Sequence, residues 1–130
     1  MSFPIHTESS APHAARETLR SIKERYGFIP NLAGAFAESP GAFTGLLSAL
    51  QSYDDASLSL TPLERQVVQL AVSVENRCDY CAAAHGMLAN SLGLERGEIE
   101  RLHAQESLSD PALEALRVFS ARVVATRGWV

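Results

Sequence analysis

The chain has little cysteine: two residues among 130. That excludes a disulfide-braced scaffold, which needs several bridges to replace a hydrophobic core. Long apolar runs are missing too. Although 46% of residues are hydrophobic, none of the runs approaches the ~20 residues of a membrane span, so no membrane partner is expected. Neither is there an excess of positive charge. With 11 Lys and Arg against 15 Asp and Glu, the net charge is −4, and no dense basic cluster offers nucleic acid an electrostatic footing. No Gly-rich phosphate loop is present, so no nucleotide cofactor is implied. No segment alternates with period two for long enough to make a strand. Residues 1–8 contain neither a basic nor an apolar signal region, so a cytoplasmic, reducing location is expected. There, a cysteine pair is catalytic or metal-binding more often than a permanent staple.

What is present is helix punctuation. Residues 1–10 are polar and aperiodic and read as an arm that packs loosely or on a neighbour. Pro12 suits a first helical turn, Leu19, Ile22 and Tyr26 share a face, and Gly27 is placed to end that helix. Residues 28–32 turn into a short segment of small residues that ends near Ser39. Ser39-Pro40 is a helix start, with Phe43, Leu46, Leu47, Leu50 and Tyr53 as its stripe. Residues 54–57 break it. Thr61-Pro62-Leu63-Glu64 is a capping box with proline at the first helical position, followed by Leu63, Val67, Leu70, Ala71 and Val74. A break is expected at Asn76-Arg77, on the grounds that asparagine tolerates the left-handed conformation. The next helix should run roughly over 77–92 and stop at Gly93. A shorter one carries Ile99 and Leu102. Asp110-Pro111 opens the last, with Leu113, Leu116, Phe119 and Val123 as its stripe, core or oligomer surface, and Gly128 at its end. The predicted fold is all-α, a single domain over 1–130.

Both cysteines lie in one stretch, Cys78-Asp79-Tyr80-Cys81, with His85 four residues on. On one helix the three would share a face. His85 would stand one turn, about 6 Å along the axis, from Cys81. Two thiols able to exchange with a disulfide beside a titratable base make a redox site. Two other readings stand beside it. The cysteines could be small buried hydrophobes that happen to be neighbours. They could also join His85 around zinc, although a closed site needs a fourth ligand and only His103 could supply one. His6, His13 and His103 belong to no motif. Glu75, three residues before Cys78, could lend a carboxylate to the site or be an ordinary charge at a helix end.

The capped Thr61 helix, Asn76 and Cys78-x-x-Cys81-x-x-x-His85 together resemble the AhpD-like, carboxymuconolactone decarboxylase superfamily. Phe28-Ile29-Pro30-Asn31-Leu32 and Ser39-Pro40 are similar to its peroxidase-related, alkylhydroperoxidase branch. The resemblance covers roughly residues 20–127. It implies a compact helical bundle with Cys-x-x-Cys at the start of a central helix, and a homo-oligomer. It also implies a hydroperoxidase in which Cys81 attacks the peroxide, Cys78 resolves it to a disulfide, His85 relays protons and an external dithiol restores the pair. No cofactor or metal is part of that chemistry. The relay glutamate of the family falls on Gln66, leaving Gln66 and Glu75 as candidates for that role. Many members also continue for further helices past residue 128. Alternative functions are a disulfide reductase with no peroxide step, or a binding or scaffold protein that keeps the fold without turnover.

Overall fold

A computed structural model of the chain describes residues 3–53 and 59–130; the expected break at 54–57 lies outside them. Two compact units divide the chain, within Met1–Ala56 and Ser57–Val130. Among the described residues every regular element is helical.

The first unit holds α1 (His13–Tyr26), α2 (Asn31–Phe36) and α3 (Pro40–Tyr53). Gly27 ends α1 in the left-handed region at φ 81°, where a side chain would be strained. Ala15 and Leu19 of α1, Ala33 and Ala37 around α2, and Phe43 of α3 form the core, with Phe36 and Phe43 stacked at 6.4 Å. Of the stripe expected on α3, Phe43 is buried, while Leu50 and Tyr53 lie exposed. The arm is fastened rather than loose. The His6 amide donates to the Gly34 carbonyl at 3.0 Å, and its ring lies 2.6 Å from a Glu38 carboxylate oxygen. A Cβ on Gly34 would stand 2.8 Å from the His6 carbonyl oxygen, so glycine is what lets the arm cross α2 this closely.

The second unit holds α4 (Pro62–Glu75), α5 (Asp79–Ser91), α6 (Arg96–Ala104) and α7 (Pro111–Ala125). Helix α4 is its hub and packs on the other three. The predicted capping box closes α4: Thr61 Oγ1 accepts from the Glu64 amide at 3.2 Å, and Glu64 Oε2 accepts from the Thr61 amide at 2.6 Å. Val67, Leu70 and Ala71 of α4 meet Ala82 and Ala89 of α5, with Leu94, Leu102 and Leu108 completing the core. Small residues let α5 approach its neighbours. A Cβ at Gly86 would lie 3.4 Å from both Ile99 Cγ2 and His103 Nε2.

Asp110 caps α7, Oδ1 accepting from the Ala112 amide at 2.7 Å. The apolar stripe of α7 is only partly covered. Phe119 is 57% exposed, and the buried position falls to Ser120, about 100° away around the helix. A half-buried ion pair joins the same helix. Arg117 grips Glu114 with two bonds of 2.7 Å, and Glu114 also accepts from the Leu108 amide at 3.0 Å. Arg117 pulls the Glu114 carboxyl down to about 2.

Candidate functional site: a disulfide at a shared helix turn

The site is built where α4 ends and α5 begins. The left-handed residue is Arg77, at φ 54°, and not Asn76, at φ −78°. The Arg77 amide donates to the Val74 carbonyl at 2.9 Å and the Cys78 amide to the Ser73 carbonyl at 2.9 Å. This bond pair is the Schellman ending of a helix, with Arg77 where glycine is usual. Cys78 then opens the next helix. It is the N-cap of α5: its Sγ accepts from the Cys81 amide at 3.3 Å and its carbonyl from the Ala82 amide at 2.9 Å. One residue therefore ends α4 and begins α5. Cys78 sits in extended backbone before α5, so the expected start at residue 77 is corrected to Asp79.

Cys78 and Cys81 are joined by a disulfide across this first turn, with Cα atoms 5.3 Å apart. Beside it opens a cavity of about 250 Å³ lined by Val68, Gln69, Val72, Ser73, Asn76, Cys78, Cys81 and His85. His85 lies one turn beyond Cys81 on α5, half-buried. Its Nδ1 donates to Oε1 of Gln66 on α4 at 3.0 Å. Gln66 does not line the cavity; it holds the imidazole from behind. That bond fixes the tautomer and leaves the lone pair on Nε2. Burial pushes the His85 pKa below its ordinary value, because the charged ring is the form that loses hydration. The resting imidazole is thus a neutral base at physiological pH.

The sequence model of the carboxymuconolactone decarboxylase family matches residues 42–121. The chain belongs to that family. Its fold is also that of a crystal structure from Ralstonia eutropha JMP134, an uncharacterized peroxidase-related protein with an alkylhydroperoxidase AhpD core. The two share a TM-score of 0.87 and 22% identity, over 98% of this chain and 68% of the other. No curated protein matches the chain. The AhpD-like architecture expected from the sequence is the observed one, with the Cys-x-x-Cys pair opening α5.

In this carboxymuconolactone decarboxylase family member, Cys78, Cys81 and His85 come together, and Gln66 reaches His85. Glu75 does not. Its Oε2 accepts from Gln105 Nε2 at 3.0 Å, because nine residues along α4 turn it to the face opposite Gln66, about 180° away. His103 lies against Gly86 of α5. Among the described residues no group of three or more His, Cys, Asp or Glu is set to hold a metal. Sequence reasoning missed Gln69 and Ser73 on the α4 wall of the cavity. Ser73 is buried, its hydroxyl donating to the Gln69 carbonyl at 2.6 Å. The signal was available. Gln66, Gln69, Ser73 and Asn76 recur at i, i+3, i+7 and i+10, an uncharged polar line along one side of α4 and its cap.

Proposed function

We propose that the protein is a thiol-dependent hydroperoxidase-like oxidoreductase working through the Cys78–Cys81 pair. In the reduced enzyme, Nε2 of His85 takes the proton of the Cys81 thiol. The thiolate attacks the outer peroxide oxygen, the O–O bond breaks, and the departing oxygen takes the proton back from His85. Cys81 is left as a sulfenic acid. Cys78 attacks that sulfur, the hydroxyl leaves as water, and the disulfide forms. An external dithiol then returns two electrons and two protons, restoring both thiols.

The observation that carries this reading is the disulfide lining one cavity with a neutral imidazole. Consumption of an organic hydroperoxide with a dithiol as electron donor tests it. Turnover that stops in Cys81→Ser supports the reading, and a wild type that exchanges disulfides but spares peroxide overturns it. That second outcome is the disulfide reductase, which the amide at position 66 favours, since it gives His85 no charge with which to strengthen the base. We read the chain as a homo-oligomer as well, because Val118, Phe119, Trp129 and Val130 are each 48–86% exposed, apolar area that association would remove from water.

A further inference from the structure

The two sulfurs of the disulfide sit in opposite surroundings. Cys78 Sγ faces a donor, the Cys81 amide at 3.3 Å, in the first turn of α5. As the disulfide opens, that N–H and the positive end of the helix meet a thiolate at Cys78. Cys81 lies deeper in α5, and its titratable neighbour along the helix, His85, offers no proton. The Nδ1–H of His85 is committed to Gln66, Nε2 carries the lone pair, and burial keeps the ring neutral. A thiolate leaving from Cys81 would face an acceptor.

We infer that external thiols open the disulfide at Cys81 Sγ and expel Cys78 as the leaving thiolate. The attacking thiolate forms a bond to Cys81 Sγ while the S–S electron pair passes to Cys78 Sγ, and the Cys81 N–H donates to the thiolate so formed. The second thiol of a dithiol donor loses its proton and attacks the donor's own sulfur in the mixed disulfide. Cys81 is released and takes up a proton, and the donor leaves as a cyclic disulfide. Leaving-group stability governs such exchange, a thiol of lower pKa leaving faster. Cys78 is thereby a positioning-dependent leaving group on reduction, and the same stabilised thiolate is the nucleophile that resolves a sulfenic acid at Cys81. This inference rests on the pair being redox-active but not on peroxide being the oxidant.

The test uses protein oxidised with diamide, so that a failed peroxide assay leaves it intact. Oxidised wild type is treated with excess glutathione and quenched in acid with N-ethylmaleimide, and the two cysteines are mapped by mass spectrometry. Glutathione severalfold more abundant on Cys81, with maleimide on Cys78, is the expected result. In parallel, thiolate absorbance at 240 nm is titrated in reduced Cys81→Ser and Cys78→Ser. Cys78 should titrate below the usual ~8.5 of a free thiol and below Cys81. Glutathione mainly on Cys78, or a Cys78 thiol no more acidic than Cys81, overturns the inference.

Discussion

The imidazole of His85 is held by an amide and not by a carboxylate: Nδ1 lies 3.0 Å from Oε1 of Gln66. Glutamine orients the ring but adds no charge to favour its protonated form, so burial lowers the His85 pKa unopposed. Gln66→Glu should strengthen this base. The expected outcome is faster hydroperoxide consumption at pH 7, by no more than the ~10²–10⁴-fold that general-base assistance supplies. The acid limb of the kcat/KM profile should also move to higher pH, since a carboxylate partner raises the imidazole pKa. Glu75→Gln, acting on a side chain that bonds Gln105, should leave the rate unchanged. Initial rates and pH profiles of the three proteins check this.

Exchange of either cysteine for serine should separate folding from chemistry. Serine is a favoured N-cap, so Cys78→Ser should keep the start of α5 and a near wild-type Tm under reducing conditions. It should also allow one turnover that ends in a sulfenic acid on Cys81, detectable with dimedone. Cys81→Ser should fold and consume no peroxide.

Arg77 carries a left-handed backbone at φ 54°, a conformation that costs a residue with a Cβ roughly 1–2 kcal/mol. Arg77→Gly removes that cost but adds chain entropy to the unfolded state. A net gain of about 1 kcal/mol is expected, near 4 °C in Tm for a chain of this size. Thermal unfolding of both proteins at one redox state checks it.

Acid should find the Glu114–Arg117 pair. The folded Glu114 carboxyl is held down to about 2, chiefly by the bonds from Arg117, while in the unfolded chain it titrates near ~4.3. A depressed folded value means the stabilisation is complete above the unfolded pKa and is lost as pH falls from there toward 2. Glu114→Gln should therefore be less stable than wild type at pH 7 and show a flatter fall in stability between pH 5 and pH 2. Urea midpoints across that range measure it.

Association is the fifth expectation. Light scattering at micromolar concentration should report a multiple of the 14.0 kDa chain, and Phe119→Lys, at a 57% exposed ring, should lower it.

Local signals were legible wherever one residue decides a local bond. Thr61 and Asp110 cap the helices they were expected to cap, and Gly27 takes the left-handed turn expected of it. Gln66 reached the site through its place in the family pattern, twelve residues before Cys78. Contacts made across long separations were not legible. Gln105 captures Glu75 from thirty residues away, and no spacing rule announces it. Phe119 fits an apolar stripe on α7, yet which side of that stripe faces α4 is settled by packing, and the small Ser120 is the residue buried. The break falls at Asn76-Arg77 as expected, but propensity favours Asn76 for the left-handed residue, whereas the paired bonds to Ser73 and Val74 place it at Arg77. The local bonding of the helix ending overrode residue preference there.

The turn at residues 76–78 works as a ruler. Each of its members is already spent, Asn76 closing α4, Arg77 reversing the chain and Cys78 serving both helices. No spare residue remains to absorb a change in length. One residue added between Arg77 and Cys78 would break the register of the Cys78 amide bond to Ser73 and change where α5 starts relative to α4. His85 would then swing away from Gln66 while every side chain of the site stayed chemically intact. Length at this turn, as much as residue identity, sets whether the imidazole and the cysteine pair share one cavity.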